Sequence, residues 1–256
     1  MLIRHILQRH PIPVRAFFRR TLVLAYALPT ESLMELLPPG LTLDTYRGFG
    51  FLAIAMVQTH DLRPTCLPQW AGQDFFLSGY RVFARFRTMT GHTLRGLRIL
   101  RSDTDSRLMQ VMGNLFTHYN YQKAIVTAQE ESGHLEISVR TPGGLADLRV
   151  VADLVRQPAP LPAESPFESV EDARRFAGPL PFTFDYEPPT HSIVVIEGVR
   201  EQWKPDPVAV KILENTFFDQ PYWRGVKPIL ANAFTLTNVP YRWRRGVRYP
   251  LGGKPQ

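Results

Sequence analysis

Residues 79–126 read GYRVFARFRTMTGHTLRGLRILRSDTDSRLMQVMGNLFTHYNYQKAIV, and here charged side chains are interleaved with segments that otherwise have the composition of buried strands. Residues 80–88 and 93–101 are rich in aromatic, β-branched and long side chains, and Thr90, Gly91 and His92 between them read as a short turn, so the spacing predicts an antiparallel hairpin. Side chains alternate faces along a strand. Arg81, Phe83, Arg85 and Arg87 therefore share one side, and Val82, Ala84 and Phe86 the other. In the partner, Leu97 and Ile99 fall with Arg95 and Arg101, whereas Arg98 falls with Leu94 and Leu100. A third run, 115–126, reads as a strand with Phe116, His118, Asn120 and Gln122 on one side and Thr117, Tyr119, Tyr121 and Lys123 on the other.

Two readings of these cations stay open. Arginines on a solvated sheet face lay their apolar stems across neighbours and keep the guanidinium in water, and charged residues are seldom fully buried without a partner. Alternatively the cluster lines a cationic, aromatic pocket for a small carboxylate. Asp103 and Asp105, within the loop 102–106, are either a turn or helix cap built from short oxygen-bearing side chains, or a carboxylate pair holding a proton or a neighbouring arginine.

The hairpin, the following Arg101-Ser-Asp-Thr-Asp-Ser106, and Gly113-Asn-Leu-Phe-Thr-His-Tyr-Asn-Tyr-Gln-Lys123 together resemble the acetoacetate decarboxylase-like superfamily, and more closely a family of uncharacterised proteins within or near it. The similarity begins around Leu22, in LVLAYALPTESLMELLPPGLTLD, and runs to about Arg156. The resemblance implies a mainly β fold, a closed antiparallel β-barrel with a minor α component of a few short peripheral helices. It also implies a mechanism in the decarboxylase itself, where one lysine forms a Schiff base with a β-keto acid and a neighbouring lysine lowers its pKa. That motif, an aromatic residue and a proline followed by two lysines, falls on Tyr121, Gln122 and Lys123. Gln122 stands at the nucleophile, Lys123 at the second lysine and Tyr121 at the proline. Val82, in Tyr80-Arg81-Val82, stands where the family has a carboxylate.

Glutamine cannot form an imine, so acetoacetate decarboxylation itself is not expected. The resemblance implies instead a lyase-like small-molecule enzyme, lacking the usual lysine and acting on a small carboxylate or keto compound; the alternative is a non-catalytic barrel that binds a small ligand. In the enzyme version Lys123 is the nucleophile or proton carrier, His118 or Tyr119 the acid or base, and Arg81 or Arg98 the carboxylate clamp. Arg101, Tyr80, Tyr121, Gln122, Asp103 and Asp105 complete the binding wall.

With 256 residues, 44% of them hydrophobic and 21% charged, the chain reads as one globular domain spanning 1–256. Its 23 prolines predict many loops and short strands. A single cysteine, Cys66, excludes an intrachain disulfide. The seven histidines show none of the close pairings of a zinc helix, and no metal or other cofactor is expected. The net charge of +7 suits anionic partners.

Residues 1–20 read as a short amphipathic helix and an extended arm; the helix is too short and too interrupted by charge for a signal peptide, and it serves to cover a barrel end rather than a membrane. A cytoplasmic location is expected. Residues 241–256 read as a basic tail, with Arg242, Arg244, Arg245 and Arg248 among Tyr241, Trp243 and Tyr249. It is expected to be solvated or docked on a sister subunit of a homo-oligomer rather than on nucleic acid.

The remaining pattern places strands at 22–28, 41–46, 49–59, 191–200 and 230–239. A hairpin is expected over 125–141 and a strand over 145–154, with irregular loop over 60–73. One helix is expected over 30–37 with Thr30 as N-cap, and another from the capping box at Ser165 to about Ala177. Residues 207–218 fit either strand or helix.

Overall fold

The computed structural model describes residues 2–155, 158–200 and 203–252. Along the first half run α1 (Leu2–Leu7), β1 (Val14–Pro29), α2 (Thr30–Met34), β2 (Leu41–Leu43), β3 (Phe49–Pro64), β4 (Gln73–Arg87), β5 (Thr93–Thr104), α3 (Arg107–Phe116) and β6 (Tyr121–Lys123). The second half carries β7 (Ile125–Glu131), β8 (His134–Arg140), β9 (Leu148–Asp153), α4 (Val170–Ala177), β10 (Phe182–Glu187), β11 (Ser192–Val199), β12 (Asp206–Pro207), β13 (Ala209–Asn215), β14 (Ile229–Trp243) and β15 (Val247–Pro250). The protein is mainly β. One sheet has the order β12-β14-β1-β3-β4-β5-β10-β11-β15, with β2 added on β4, β6 on β5, and a further pairing of β11 with β14. The other sheet is β13-β9-β8-β7. Described neighbours are antiparallel except at β5, which takes β6 and β10 in parallel.

β1 over 22–28 and β3 over 49–57 are continuously apolar because both faces of these segments are covered. Leu52, Ile54 and Met56 enter a core shared with Ile137 and Val139 of β8 and Leu148 and Val150 of β9. Phe51, Ala53, Ala55 and Val57 face the other way, toward Phe83 and Phe234. Strand alternation thus gives one hydrophobic run two interiors, and each fully buried Leu or Ile contributes roughly 1.5–3 kcal/mol.

The hairpin forms as expected, β4 against β5, with Thr88–His92 closing the turn through two bonds, His92 carbonyl to the Thr88 N–H at 2.8 Å and Thr88 carbonyl to the Gly91 N–H at 2.9 Å. The register then shifts. Tyr80 faces Arg101 but Arg81 faces Ile99, so Leu100 is an extra residue, a β-bulge. A bulge inverts the parity beyond it. Arg101 therefore leaves the face of Leu97 and Ile99, contrary to the expected alternation, and pairs with Asp103 at 2.8 Å, while Ser102 takes its place.

Other differences have equally local causes. The run 115–126 is not one strand: residues 115 and 116 end α3, whose start is capped by the Ser106 hydroxyl accepting the Met109 N–H at 3.2 Å, and strand resumes only in β6 and β7. Helix α4 begins after Ser169, not at Ser165. The Ser165 hydroxyl donates to the Ala231 carbonyl at 2.6 Å, whereas Ser169 caps through the Asp172 N–H at 3.1 Å. Thr30 caps nothing; its hydroxyl turns to Glu31. β3 extends to Pro64, shortening the expected loop, and 209–215 is strand, edge-paired with β9.

The expected C-terminal tail is sheet instead. Tyr241, Arg242 and Trp243 end β14 against β1 and β11, and β15 pairs with β11; positions 253–256 of that segment lie outside the described residues. The N-terminal arm is pinned by a bidentate Arg9–Glu187 pair at 2.6 and 2.7 Å and by the His10 N–H, which donates to the Phe116 carbonyl. No described helix is long and apolar enough to cross a membrane.

Arg85 and Arg95 lie directly opposite each other on β4 and β5, an arrangement of like charges that would push the strands apart. Asp44, fully buried, takes the Nε of both at 2.6 Å. Asp44→Ala is therefore expected to destabilise the protein by about 3 kcal/mol, measured by urea unfolding, because it leaves two guanidinium groups facing each other without their shared carboxylate. Adding Arg95→Gln to that variant should recover part of the loss; an unchanged unfolding midpoint in Asp44→Ala would show that the pair is not structural.

Candidate active site

The second interior holds a cavity of about 440 Å³ walled by β1, β3, β4, β5, β14 and α3, with the segment 177–180 at one side. Its wall is mostly hydrocarbon and aromatic ring. Three arginines line it, Arg63, Arg81 and Arg200, and among the described residues no lysine, aspartate or glutamate does. Arg63 is engaged by Asp61. Arg200 donates to the Pro179 carbonyl at 2.8 Å and stacks on Trp203 with 4.2 Å between guanidinium carbon and ring centre.

Arg81 is different. Among the described residues it makes neither an ion pair nor a hydrogen bond, and its Nε is buried without a partner. Four of its neighbours on the hairpin meet a carboxylate, Arg85 and Arg95 at Asp44, Arg98 at Asp185 and Arg101 at Asp103, and Arg87 ends β4 exposed to solvent. Burial pushes the Arg81 guanidinium below its ordinary value, partly opposed by the Tyr241, Tyr121 and Tyr119 hydroxyls within its electrostatic reach. A guanidinium nevertheless stays protonated in proteins, so the charge persists in an apolar surrounding. Gly79, two residues back on the same face, provides its space: a Cβ there would lie 3.0 Å from the Arg81 Nε.

Three tyrosines face the same space. Burial raises the Tyr119 and Tyr121 hydroxyls well above their usual range, and raises that of Tyr241 against the lowering pull of Arg200 and Arg81. All three are neutral phenols at ordinary pH, able to donate. The Tyr119 hydroxyl lies near Thr183 but makes no hydrogen bond of ordinary geometry. Tyr121 is held by Asn114, whose side chain accepts the Tyr121 N–H at 2.8 Å and donates to its carbonyl at 2.9 Å, in the manner of a neighbouring strand. Gly113 lets the helix approach, since a Cβ would lie 2.3 Å from the Tyr121 ring. Asn120, between the two tyrosines, sits at φ 52°, a left-handed conformation that asparagine tolerates.

Of the residues singled out in the sequence, Arg81, Tyr119 and Tyr121 meet in this wall. Lys123 does not; its ammonium donates to the Asp105 and Ala124 carbonyls, the latter at 3.3 Å. Gln122 bonds to Asn120 at 3.0 Å, away from the cavity. The His118 N–H donates to Asp185 at 3.0 Å, and its ring is outside the wall. Tyr80 reaches the other interior, stacking on Phe217 and donating to the Ala146 carbonyl at 3.2 Å. Arg98, Arg101 and Asp103 are spent in ion pairs, and Asp105 accepts the Phe76 N–H at 2.8 Å. Nothing in the sequence pattern points to Tyr241, expected in the tail, or to His10, whose φ of 53° brings it to the cavity edge, where burial lowers its imidazole and keeps it neutral.

Solved structures share this architecture. The chain matches an acetoacetate decarboxylase-like enzyme from Sphingomonas wittichii RW1 with a TM-score of 0.60 at 13% identity, covering 96% of each chain. It matches the enduracididine biosynthesis enzyme MppR, complexed with the condensation product of pyruvate and imidazole 4-carboxaldehyde, with a TM-score of 0.59 at 12% identity over 93% of this chain and 89% of that one. Acetoacetate decarboxylase from Legionella pneumophila matches with a TM-score of 0.57 at 15% identity over 94% and 86%. These likenesses define an acetoacetate decarboxylase-like fold. Within it, residues 15–236 match the model of DUF2071, described as an uncharacterised conserved protein, and the chain belongs to that family. No curated protein matches the chain.

A half-buried guanidinium whose Nε has no partner is a stability liability. In the absence of ligand, Arg81→Met is expected to stabilise the protein by about 1–2 kcal/mol in urea unfolding, as replacement of buried ionic groups by hydrocarbon of similar shape commonly does. A loss of stability of that size would mean that Arg81 holds the fold together instead.

Proposed function

We propose that the protein binds the carboxylate of a small-molecule acid or keto acid in this cavity and acts on it by proton transfer rather than through a lysine imine. The observation that carries this is the unpaired Arg81 guanidinium among neutral phenols. An anion entering the hollow supplies the counter-charge the protein omits, and charge-assisted bonds of this kind are among the strongest available. Tyr119, neutral and without an ordinary hydrogen bond, is the donor assigned to the ligand's second oxygen or keto group, with Tyr121 and Tyr241 shaping the remaining wall. Support for a keto acid comes from MppR, which has been crystallised with pyruvate. The pairing of β11 with β14 supports reading the larger sheet as a closed barrel around this site.

A second reading, a binding protein without turnover, is favoured by the absence of lysine from the described wall. Incubation with pyruvate, acetoacetate and short carboxylates, followed by native mass spectrometry and thermal unfolding, tests both. Wild-type protein is expected to retain a carboxylate and to unfold at higher temperature with it, since a ligand at a hundredfold its Kd adds about 2.7 kcal/mol; Arg81→Met should show neither effect. Borohydride should fix no adduct to any lysine. A reduced adduct on Lys123 would overturn the non-imine chemistry, and equal binding by Arg81→Met would remove the clamp. A ligand retained but unchanged in composition after prolonged incubation would select the binder.

A further inference from the structure

We infer that the ligand of this site is an amphipathic monocarboxylate with a long apolar body, its head at Arg81 and its tail directed to the mouth beside α3, rather than an acid of pyruvate size. The inference rests on the Arg81 clamp proposed above and goes beyond it in the nature of the rest of the molecule.

Three observations carry it. First, the cavity's volume of about 440 Å³ is roughly fifteen times the share of one molecule in liquid water, about 30 Å³. It falls within the range of sites for ligands of drug-like size. A three-carbon acid would leave most of it empty, with its hydrocarbon wall in contact with nothing.

Second, the hollow has an origin in the sequence. On β3 the positions facing the cavity include Ala53, Ala55 and Val57, while their alternate neighbours Leu52, Ile54 and Met56 fill the opposite core. Interiors of small closed sheets are ordinarily filled by side chains. Here two consecutive inward positions stop at a methyl group, and the space they leave is continuous with the guanidinium of Arg81.

Third, the opening is apolar. Leu108 and Met112 of α3, and Leu67 of the loop opposite, both line the cavity and are 50%, 40% and 42% exposed. Side chains that belong to the wall and to the surface at once mark a mouth. Gln73 also lines the cavity and is exposed, one amide among these three hydrocarbon side chains; a hydrocarbon tail would cover the three.

Isothermal titration with straight-chain saturated monocarboxylates from three to sixteen carbons, alongside their methyl esters, tests this on the full chain below the micellar concentration of each acid. The expected result is an affinity that rises about fourfold per added methylene and then levels as the tail reaches the mouth, the increment following from transfer of each methylene out of water. Arg81→Met should weaken every acid at least tenfold and leave the esters unchanged. Ala55→Leu, which narrows the hollow without touching the clamp, should move the preferred length to shorter acids. Ala53→Val serves the same purpose if the first variant does not fold by circular dichroism.

An affinity that depends on Arg81 but is flat along the series, or unaffected by both narrowing variants, would overturn the long-tail inference while leaving the carboxylate clamp standing. Absence of binding at every length, or binding indifferent to Arg81→Met, would overturn the clamp itself.

Discussion

A half-buried positive charge that faces an apolar hollow without a counter-charge sets the terms for the rest of this molecule. Even partial removal of a guanidinium from water opposes folding, and a domain is typically stable by only about 5–15 kcal/mol. The two sheets supply what offsets it. β1 and β3 are buried on both faces, one against the smaller sheet and the other toward the cavity, so apolar burial accumulates twice along the same residues. Four neighbouring arginines show how the hairpin handles charge where no ligand is involved: each meets an aspartate, and Asp44, Asp185 and Asp103 are all buried. Arg81 departs from that pattern within the same two strands, facing the cavity without a counter-charge.

The site also shows how one fold can keep a cavity and change its chemistry. The resemblance to lysine-dependent decarboxylases directs attention to residues 121–123, yet only Tyr121 of the three belongs to the cavity wall. Lys123 is tied to backbone carbonyls, an anchor for the segment as it enters the smaller sheet. What remains facing the hollow is an arginine and a set of phenols kept neutral by burial. Among the described residues, that wall offers no lysine amine to a carbonyl.

Small residues complete the design. Gly79 leaves room for the Arg81 head, Gly113 lets α3 close on Tyr121, and Gly198 lies where a Cβ would meet the Tyr241 hydroxyl at 1.8 Å. Ala53 and Ala55 leave the hollow itself. At each of these positions the functional feature depends on atoms that are missing from the sequence, a kind of signal that a search for reactive side chains passes over.

Alternation and turn chemistry along the chain made the hairpin of β4 and β5 legible and placed Arg81 on one face with Phe83. These are local properties, written in periods of two residues and in turn chemistry. Only the tertiary structure decided which arginine is free. The partners that quench Arg85, Arg95 and Arg98 come from 41, 51 and 87 residues away, and a single bulge at Leu100 sends Arg101 to Asp103. Tyr241 joined the site for the same reason: a strand beginning near Ile229 pairs with β1, more than two hundred residues earlier in the chain, and so carries an apparent tail into the wall of the cavity. Charge compensation and cavity shape are properties of neighbours in space, and alternation along a strand is blind to both.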